Sequence, residues 1–344
     1  MLGSSTKALV EAYDLTMFDL DGVVYIGETA VPGAPERLSR ARAAGTAIAF
    51  ITNNASRPPA AVAKKLRALG IEAGPQDVVT SAQAAAHLLV EQFGEGTPIA
   101  SLGAAGLEEA LHEAGLRPVG VDDDTAAAVV TGYGPDVVWR DVMRAAVRVR
   151  DGLPWVASNT DLSLPTRFGT APGHGVMVEM IQRFSGVTAT VAGKPQRPLV
   201  DETVRRLGGS RPLMVGDRLD TDIEGAHNTG IDSLLVLTGV TGLADLVTAT
   251  EELRPTYIAG DLEGLFETHA APERSDSTWI AGGWRADASD GALVVTGTGG
   301  TDDWWRVVAS AAWAHLDHSG VPADTSGLTA PGAAAVDPAG NLGP

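Results

Sequence analysis

Two aspartates, Asp19 and Asp21, follow directly on the run Leu15-Thr16-Met17-Phe18. In extended chain an i, i+2 spacing carries both carboxylates to one side. Held together there, they either share a proton or recruit a cation, and a hard dication with oxygen ligands suits them. Asp19-Leu20-Asp21-Gly22 is also an ordinary composition for a solvated turn, and taken alone that reading is the better one. A calcium loop does not fit: its glycine belongs at position six, whereas Gly22 falls at position four and Ala30 occupies the twelfth.

Three other segments place polar residues at the same kind of junction. Thr52-Asn53-Asn54 follows the apolar run Ala47–Ile51 and offers a hydroxyl and amides where an anion could sit, although Ser56 is the better cap for the next helix. Gly193-Lys194-Pro195 sets a cation between a short apolar run and a helix, where a lone lysine is ordinarily a surface residue. Leu213-Met214-Val215 then delivers Asp217 into a loop, and Asp222 begins a helix, a position the helix dipole alone favours for a carboxylate.

The elements that must position these residues alternate along the chain. Short apolar runs at Leu15–Phe18, Ala47–Ile51, Ile99–Leu102, Ala127–Thr131, Trp155–Ser158, Leu213–Val215 and Ser233–Leu237 are separated by helical stretches such as Ala34–Ala44 and Ala60–Leu69, closed by Gly45 and Gly70. This is an α/β pattern of parallel strands with helical crossovers. Ligands in open α/β sheets bind beyond the carboxyl ends of the strands, where all four polar segments lie. The expected organisation is a core from residues 1–80 plus 185–270, an inserted domain at 81–184, a small extension at 277–320 after a linker at Pro272–Ser277, and a disordered tail at 321–344.

In order and wording the four segments resemble the haloacid-dehalogenase-like phosphatase superfamily, over about residues 13 to 270. Asp19-Leu20-Asp21-Gly22-Val23-Val24-Tyr25, Ile51-Thr52-Asn53-Asn54-Ala55-Ser56 and Val215-Gly216-Asp217-Arg218-Leu219-Asp220-Thr221-Asp222-Ile223 resemble its nitrophenyl-phosphatase and phosphoglycolate-phosphatase-like branch. The resemblance implies a Rossmann-like three-layer core with an inserted α/β cap of the C2 type. It implies Mg2+ as cofactor, Asp19 as nucleophile and metal ligand, and Asp21 as general acid and base and, through its carbonyl, a further metal ligand. Asp217 is implied as the remaining ligand, Asp222 as a supporting carboxylate, and Thr52, Asn53, Asn54 and Lys194 as phosphate holders. The set matches the chemistry, because a carboxylate attacking a phosphoryl group needs cations to offset the gathering negative charge and an acid for the leaving alkoxide.

Composition limits the partners. With 43 acidic and 25 basic residues the chain carries a formal charge of -18, which argues against nucleic acid or an anionic membrane as a general partner. There is no cysteine, hence no disulfide or thiolate metal site, and no signal-like or spanning segment is apparent, so a cytoplasmic location is expected. The expected partner is a small-molecule phosphomonoester, since a large cap excludes phosphoproteins. The cap loops Ser158-Asn159-Thr160-Asp161 and Pro172-Gly173-His174-Gly175 offer Asn159, Asp161 and His174 as specificity residues, with simple polar turns the equal alternative.

The tryptophan-rich extension reads as strand, strand, helix and resembles the acetyltransferase-like appendage of actinobacterial glycerol 3-phosphate phosphatases. That makes glycerol 3-phosphate, and with it glycerophospholipid metabolism, the first expectation. Phosphoglycolate, sugar phosphates and nucleoside monophosphates are the alternatives, a phosphomutase or a non-catalytic phosphate-responsive module the remoter ones. Thr296-Gly297-Thr298-Gly299-Gly300 could cradle a pyrophosphate, but Val294 replaces the polar residue expected ahead of it. Docking, dimerisation (a homodimer) or positioning of the cap is the expected role.

Overall fold

Leu15–Phe18 is fully buried, and this short run organises the larger sheet. In the computed structural model, which describes residues 1–166 and 168–331, it pairs in parallel with Pro212–Gly216 on one side and Ala47–Thr52 on the other. Phe18 stands opposite Val215 and Phe50, so the residues that follow each strand emerge side by side at one edge. Asp232–Val236 and Tyr257–Ala259 extend the sheet in one direction and Val78–Thr80 in the other, giving six parallel strands. A sheet buried on both faces needs near-continuous apolar runs, and these strands supply them.

A second parallel sheet has five strands in the order Thr190–Val191, Trp155–Ala157, Ala128–Thr131, Pro98–Leu102, Arg117–Val119. It takes a strand from beyond residue 184, the expected end of the insertion: Thr190 pairs with Val156 and Val191 with Ala157. Two residues are too short a run to read as a strand, and only the parallel neighbour makes them one. A hairpin, Ser163–Thr166 with Gly169–Pro172, precedes the helix His174–Ser185, which begins at His174 where a loop was expected.

The extension also departs from expectation. It is a four-stranded antiparallel sheet, Glu273–Ser275, Thr278–Ala281, Trp284–Asp287 and Val294–Gly297, backed by the long helix Thr301–Ser319. The stretch expected as a linker supplies its first strand, since Glu273-Arg274-Ser275 is polar and exposed and has no apolar alternation to announce it. Of the tail, Ala323 is buried, Leu328 and Ala330 pack on the extension, and Asp324 bridges to Ala292; residues 332–344 lie outside the described residues. Asp302 and Asp303 occupy the first turn of the helix, and Gly300 O accepts the indole N–H of Trp284 at 2.9 Å.

Trp279, Trp304, Trp305 and Trp313 share one apolar cluster with Leu235, Leu246 and Ile258 of the core. Trp313 is fully buried and donates its indole N–H to Leu246 O at 2.7 Å, while Arg306 Nε donates to Ile258 O at 3.2 Å. No helix among the described residues is long and apolar enough to cross a membrane. Trp313→Ala leaves both a cavity and an orphaned carbonyl, and is expected to cost about 3–5 kcal/mol, read as an earlier urea unfolding transition of the core.

Candidate active site

The site grows from the strand register. Asp19 leaves the central strand with its N–H donating to Val215 O at 2.9 Å, one residue past the last ladder pair. Gly216 ends the neighbouring strand, and a Cβ there would lie 2.1 Å from that of Asp222, so only glycine lets the helix turn carrying Asp222 fold back onto the strand end. Gly22, at φ +88, holds the same constraint from the other side: a Cβ would sit 2.3 Å from Asp217 Oδ2.

These close approaches gather three carboxylates. Asp19, Asp217 and Asp222 each place an oxygen within 4.8 Å of the others. Lys194 enters among them, donating from Nζ to Asp19 Oδ1 at 2.5 Å and to Asp222 Oδ1 at 2.7 Å. Burial works against the ammonium, but Asp19 and Asp222 outweigh it and hold its pKa well above the ordinary lysine value. Asp222 Oδ2 accepts the backbone N–H groups of Asp217 and Arg218 at 3.2 and 3.1 Å. Its role is therefore to fix Lys194 and the strand end. Asp217 Oδ2 accepts from Val240 N at 2.7 Å, whereas its Oδ1 is buried with no partner among the described residues. Burial pushes the Asp217 carboxyl up to about 7, with Asp222 adding repulsion. Burial raises Asp19 as well, against the pull of Lys194.

One ammonium facing three clustered carboxylates leaves an excess of negative charge in a closed space. An orphaned carboxylate oxygen within reach of a second carboxylate is the donor set of a small, hard dication, so Asp19 and Asp217 fit Mg2+.

Asp21 is exposed at the mouth, and its surroundings still desolvate it enough to raise its carboxyl, with Lys65, Arg57 and Lys194 opposing. Beside it, Lys65 lies 3.7 Å from the centre of the Tyr25 ring and donates to Gly27 O at 2.7 Å. Thr52 is buried and its Oγ1 accepts from Asn54 N at 3.1 Å, which leaves the hydroxyl proton free.

The other expected phosphate and specificity residues make bonds of their own. Asn53 donates from Nδ2 to Asp161 Oδ1 and to Lys194 O, both at 3.0 Å, and accepts Lys194 N at 2.8 Å. Its amide has no proton left for a phosphate. Asn54 Oδ1 accepts from Ser56 N and Ser56 Oγ, an Asx turn. Asn159 donates to Asn53 O at 2.7 Å. His174 is buried, donates from Nδ1 to Asn159 O at 2.9 Å, and is lowered to about 4 by burial, hence neutral, with Nε2 unpartnered.

Thr238, Val240 and Thr241 were not foreseen. Thr238 donates to Gly22 O and Thr241 to Asp217 O, both at 2.6 Å, so the loop after Asp232–Val236 clamps both acidic turns. The run Thr238-Gly239-Val240-Thr241 past a strand end was the available signal.

Comparison with known proteins places this geometry. Haloacid dehalogenase-like hydrolases match residues 16–117, and a second, HAD hydrolase-like family matches residues 191–265. The D-glycerol 3-phosphate phosphatase of Mycobacterium tuberculosis is 41% identical over 320 residues, 89% of this chain and 88% of the relative. The chain belongs to the haloacid dehalogenase-like hydrolases. The acid sugar phosphatase of Staphylococcus aureus is 35% identical over 255 residues, 74% of this chain and 96% of the relative. The glycerol phosphate phosphatase structure from M. tuberculosis in complex with magnesium superposes with a TM-score of 0.82 at 40% identity, covering 92% of this chain and 94% of that one.

A pH dependence follows from the raised carboxyls. The folded cluster binds protons more tightly than the unfolded chain, whose aspartates titrate near ~3.9, so its favourable contribution is present at low pH and lost as pH rises towards about 7. Without divalent cation the melting temperature should fall between pH 5 and 7.5, and Mg2+ should restore it by an amount that grows with pH. Asp217→Asn should flatten the slope and remove most of the Mg2+ effect; equal Mg2+ stabilisation of that variant would exclude Asp217 as a ligand.

Proposed function

We propose that this hydrolase is a Mg2+-dependent phosphatase acting on a small phosphomonoester, glycerol 3-phosphate first, through an aspartyl-phosphate on Asp19. The Lys194 ammonium fixed between Asp19 and Asp222, beside the orphaned Asp217 oxygen, carries the reading. The name and 41% identity of the mycobacterial relative support the substrate.

Each residue has a task. Two of the three ammonium protons of Lys194 go to Asp19 and Asp222, and the third is available to a phosphate oxygen, as is the Thr52 hydroxyl proton. Mg2+ held by Asp19, the Asp21 carbonyl and Asp217 supplies positive charge that offsets the repulsion between carboxylate and phosphate. A free oxygen of Asp19 attacks phosphorus while the bond from phosphorus to the ester oxygen breaks. The departing alkoxide takes the proton of Asp21, whose raised pKa favours carrying one. Ionised Asp21, beside Lys65 and Arg57, then draws a proton from water as that water attacks phosphorus and Asp19 is released. Helix Ala105–Glu113 is tied to the loop after Thr52, with Gly106 N donating to Ser56 O at 3.1 Å.

Asp19→Asn should lower phosphate release by several orders of magnitude. Asp21→Asn should lower kcat about 10²–10⁴-fold with an alkyl phosphate. With p-nitrophenyl phosphate, whose leaving group needs no proton, the same variant should release a burst of nitrophenolate before a slow steady state. Retained turnover in Asp19→Asn would overturn the nucleophile. Among glycerol 3-phosphate, phosphoglycolate, sugar phosphates and nucleoside monophosphates, the first should show the highest kcat/KM; preference for a sugar phosphate would move the substrate towards that of the staphylococcal relative.

A further inference from the structure

Lys194 does the central electrostatic work, yet the chain reaches it from the second sheet. Thr190–Val191 pairs with Trp155–Ala157, Ala192 N donates to Ala157 O at 2.9 Å, and two residues later Lys194 stands in the core site. The adjacent strand runs out into Ser158-Asn159-Thr160-Asp161, the loop seated on the core. The lysine and the cap loop thus leave one sheet edge together.

We propose that Asn53 is a positioning residue that makes seating of the cap loop Ser158–Asp161 a condition for Lys194 standing at Asp19. Among the described residues its side chain is the only group bonded to both. Asn53 Oδ1 accepts Lys194 N at 2.8 Å, and Nδ2 divides its two protons between Lys194 O and Asp161 Oδ1, both at 3.0 Å. Its carbonyl accepts from Asn159 Nδ2 at 2.7 Å and from Ser81 Oγ at 2.6 Å. Ser81 directly follows the core strand Val78–Thr80.

The remaining contacts stiffen the arrangement. A Cβ at Gly193 would lie 2.6 Å from Asn53 Oδ1 and 2.7 Å from Ser158 O, so lysine loop, amide and cap loop meet with no room for a methyl group. From beneath, His174 Nδ1 donates to Asn159 O and fixes the loop. When the cap loop lifts, Asn53 loses the bonds from Asn159 and to Asp161, its amide is free to turn, and the backbone of Lys194 loses its register. A site whose lysine is set only beneath a seated cap assembles fully only around an enclosed substrate. The same bonds explain why Asp161, a carboxylate near an expected phosphate, is tolerated: it is spent on an amide.

This inference rests on the phosphatase reading for its kinetic consequence but not for its structural one, and two readouts separate them. The first is turnover of glycerol 3-phosphate and p-nitrophenyl phosphate by the full chain with Mg2+. Asn53→Ala and Asp161→Ala should each lower kcat about 10–100-fold on both substrates, with a smaller change in KM. The double variant should be no worse than the poorer single one. Asp161→Asn keeps the acceptor and should recover most of the kcat lost in Asp161→Ala.

The second readout is amide hydrogen exchange, which needs no activity. Asn53→Ala and Asp161→Ala should speed exchange in peptides covering Ser158–Asp161 and Gly193–Lys194 together, and Asp161→Asn should restore both. Losses that add in the double variant, an Asp161→Asn as impaired as Asp161→Ala, or exchange that rises in the cap loop alone would overturn the proposal. An inactive wild type with the coupled exchange pattern would sink the phosphatase reading and leave the latch standing.

Discussion

The charge balance around Lys194 governs this molecule. Three aspartates converge on one buried ammonium, and no other protein cation makes an ion pair with any of them among the described residues. A buried pair holds only if its geometry is good and its remaining valences are satisfied, and the Lys194–Asp222 pair meets that condition through the backbone N–H groups of Asp217 and Arg218. Asp217 does not meet it, with one oxygen left over. The fold therefore carries an uncompensated negative charge at one point, which a small dication can neutralise.

Getting three carboxylates that close is a problem of backbone, solved by parallel register. Adjacent strands ending at Phe18, Thr52 and Gly216 discharge their loops into one volume, and the glycines at 22 and 216 remove the side chains that would hold those loops apart. The second sheet uses the same device from above. Its carboxyl edge supplies the loop at Asn159 and Asp161 and, through a two-residue strand, Lys194 itself. The residues gathered at the candidate site thus belong to two sheets whose loop-bearing edges meet.

Much of this could be read from the sequence, and the boundary of what could is physical. Asp19, Asp217 and Lys194 were legible because each follows a short apolar run and the same kind of junction recurs along the chain, although each alone has an ordinary explanation. Asn53, Asn159 and His174 were legible as polar residues in the right places but not as braces, since an amide that holds a phosphate and one that holds a neighbouring loop look alike until its partners are placed. The strand at Thr190–Val191 and the one at Glu273–Ser275 were hidden for another reason. Both are defined by a neighbouring strand, not by their own pattern. The loop Thr238–Thr241 acts through backbone groups, which carry no residue-type signature at all.

The join between core and extension has a consequence of its own. Arg306 and Trp313 grip Ile258 O and Leu246 O, which are main-chain atoms present whatever side chains those positions carry. Ile258 lies on the outermost strand of the six, so the guanidinium also occupies a carbonyl that would otherwise be open to an incoming strand. An attachment written in backbone atoms can outlast substitution in the surface it rests on. Those two bonds would survive a change of side chain at Leu246 or Ile258, even where the apolar packing around them is altered.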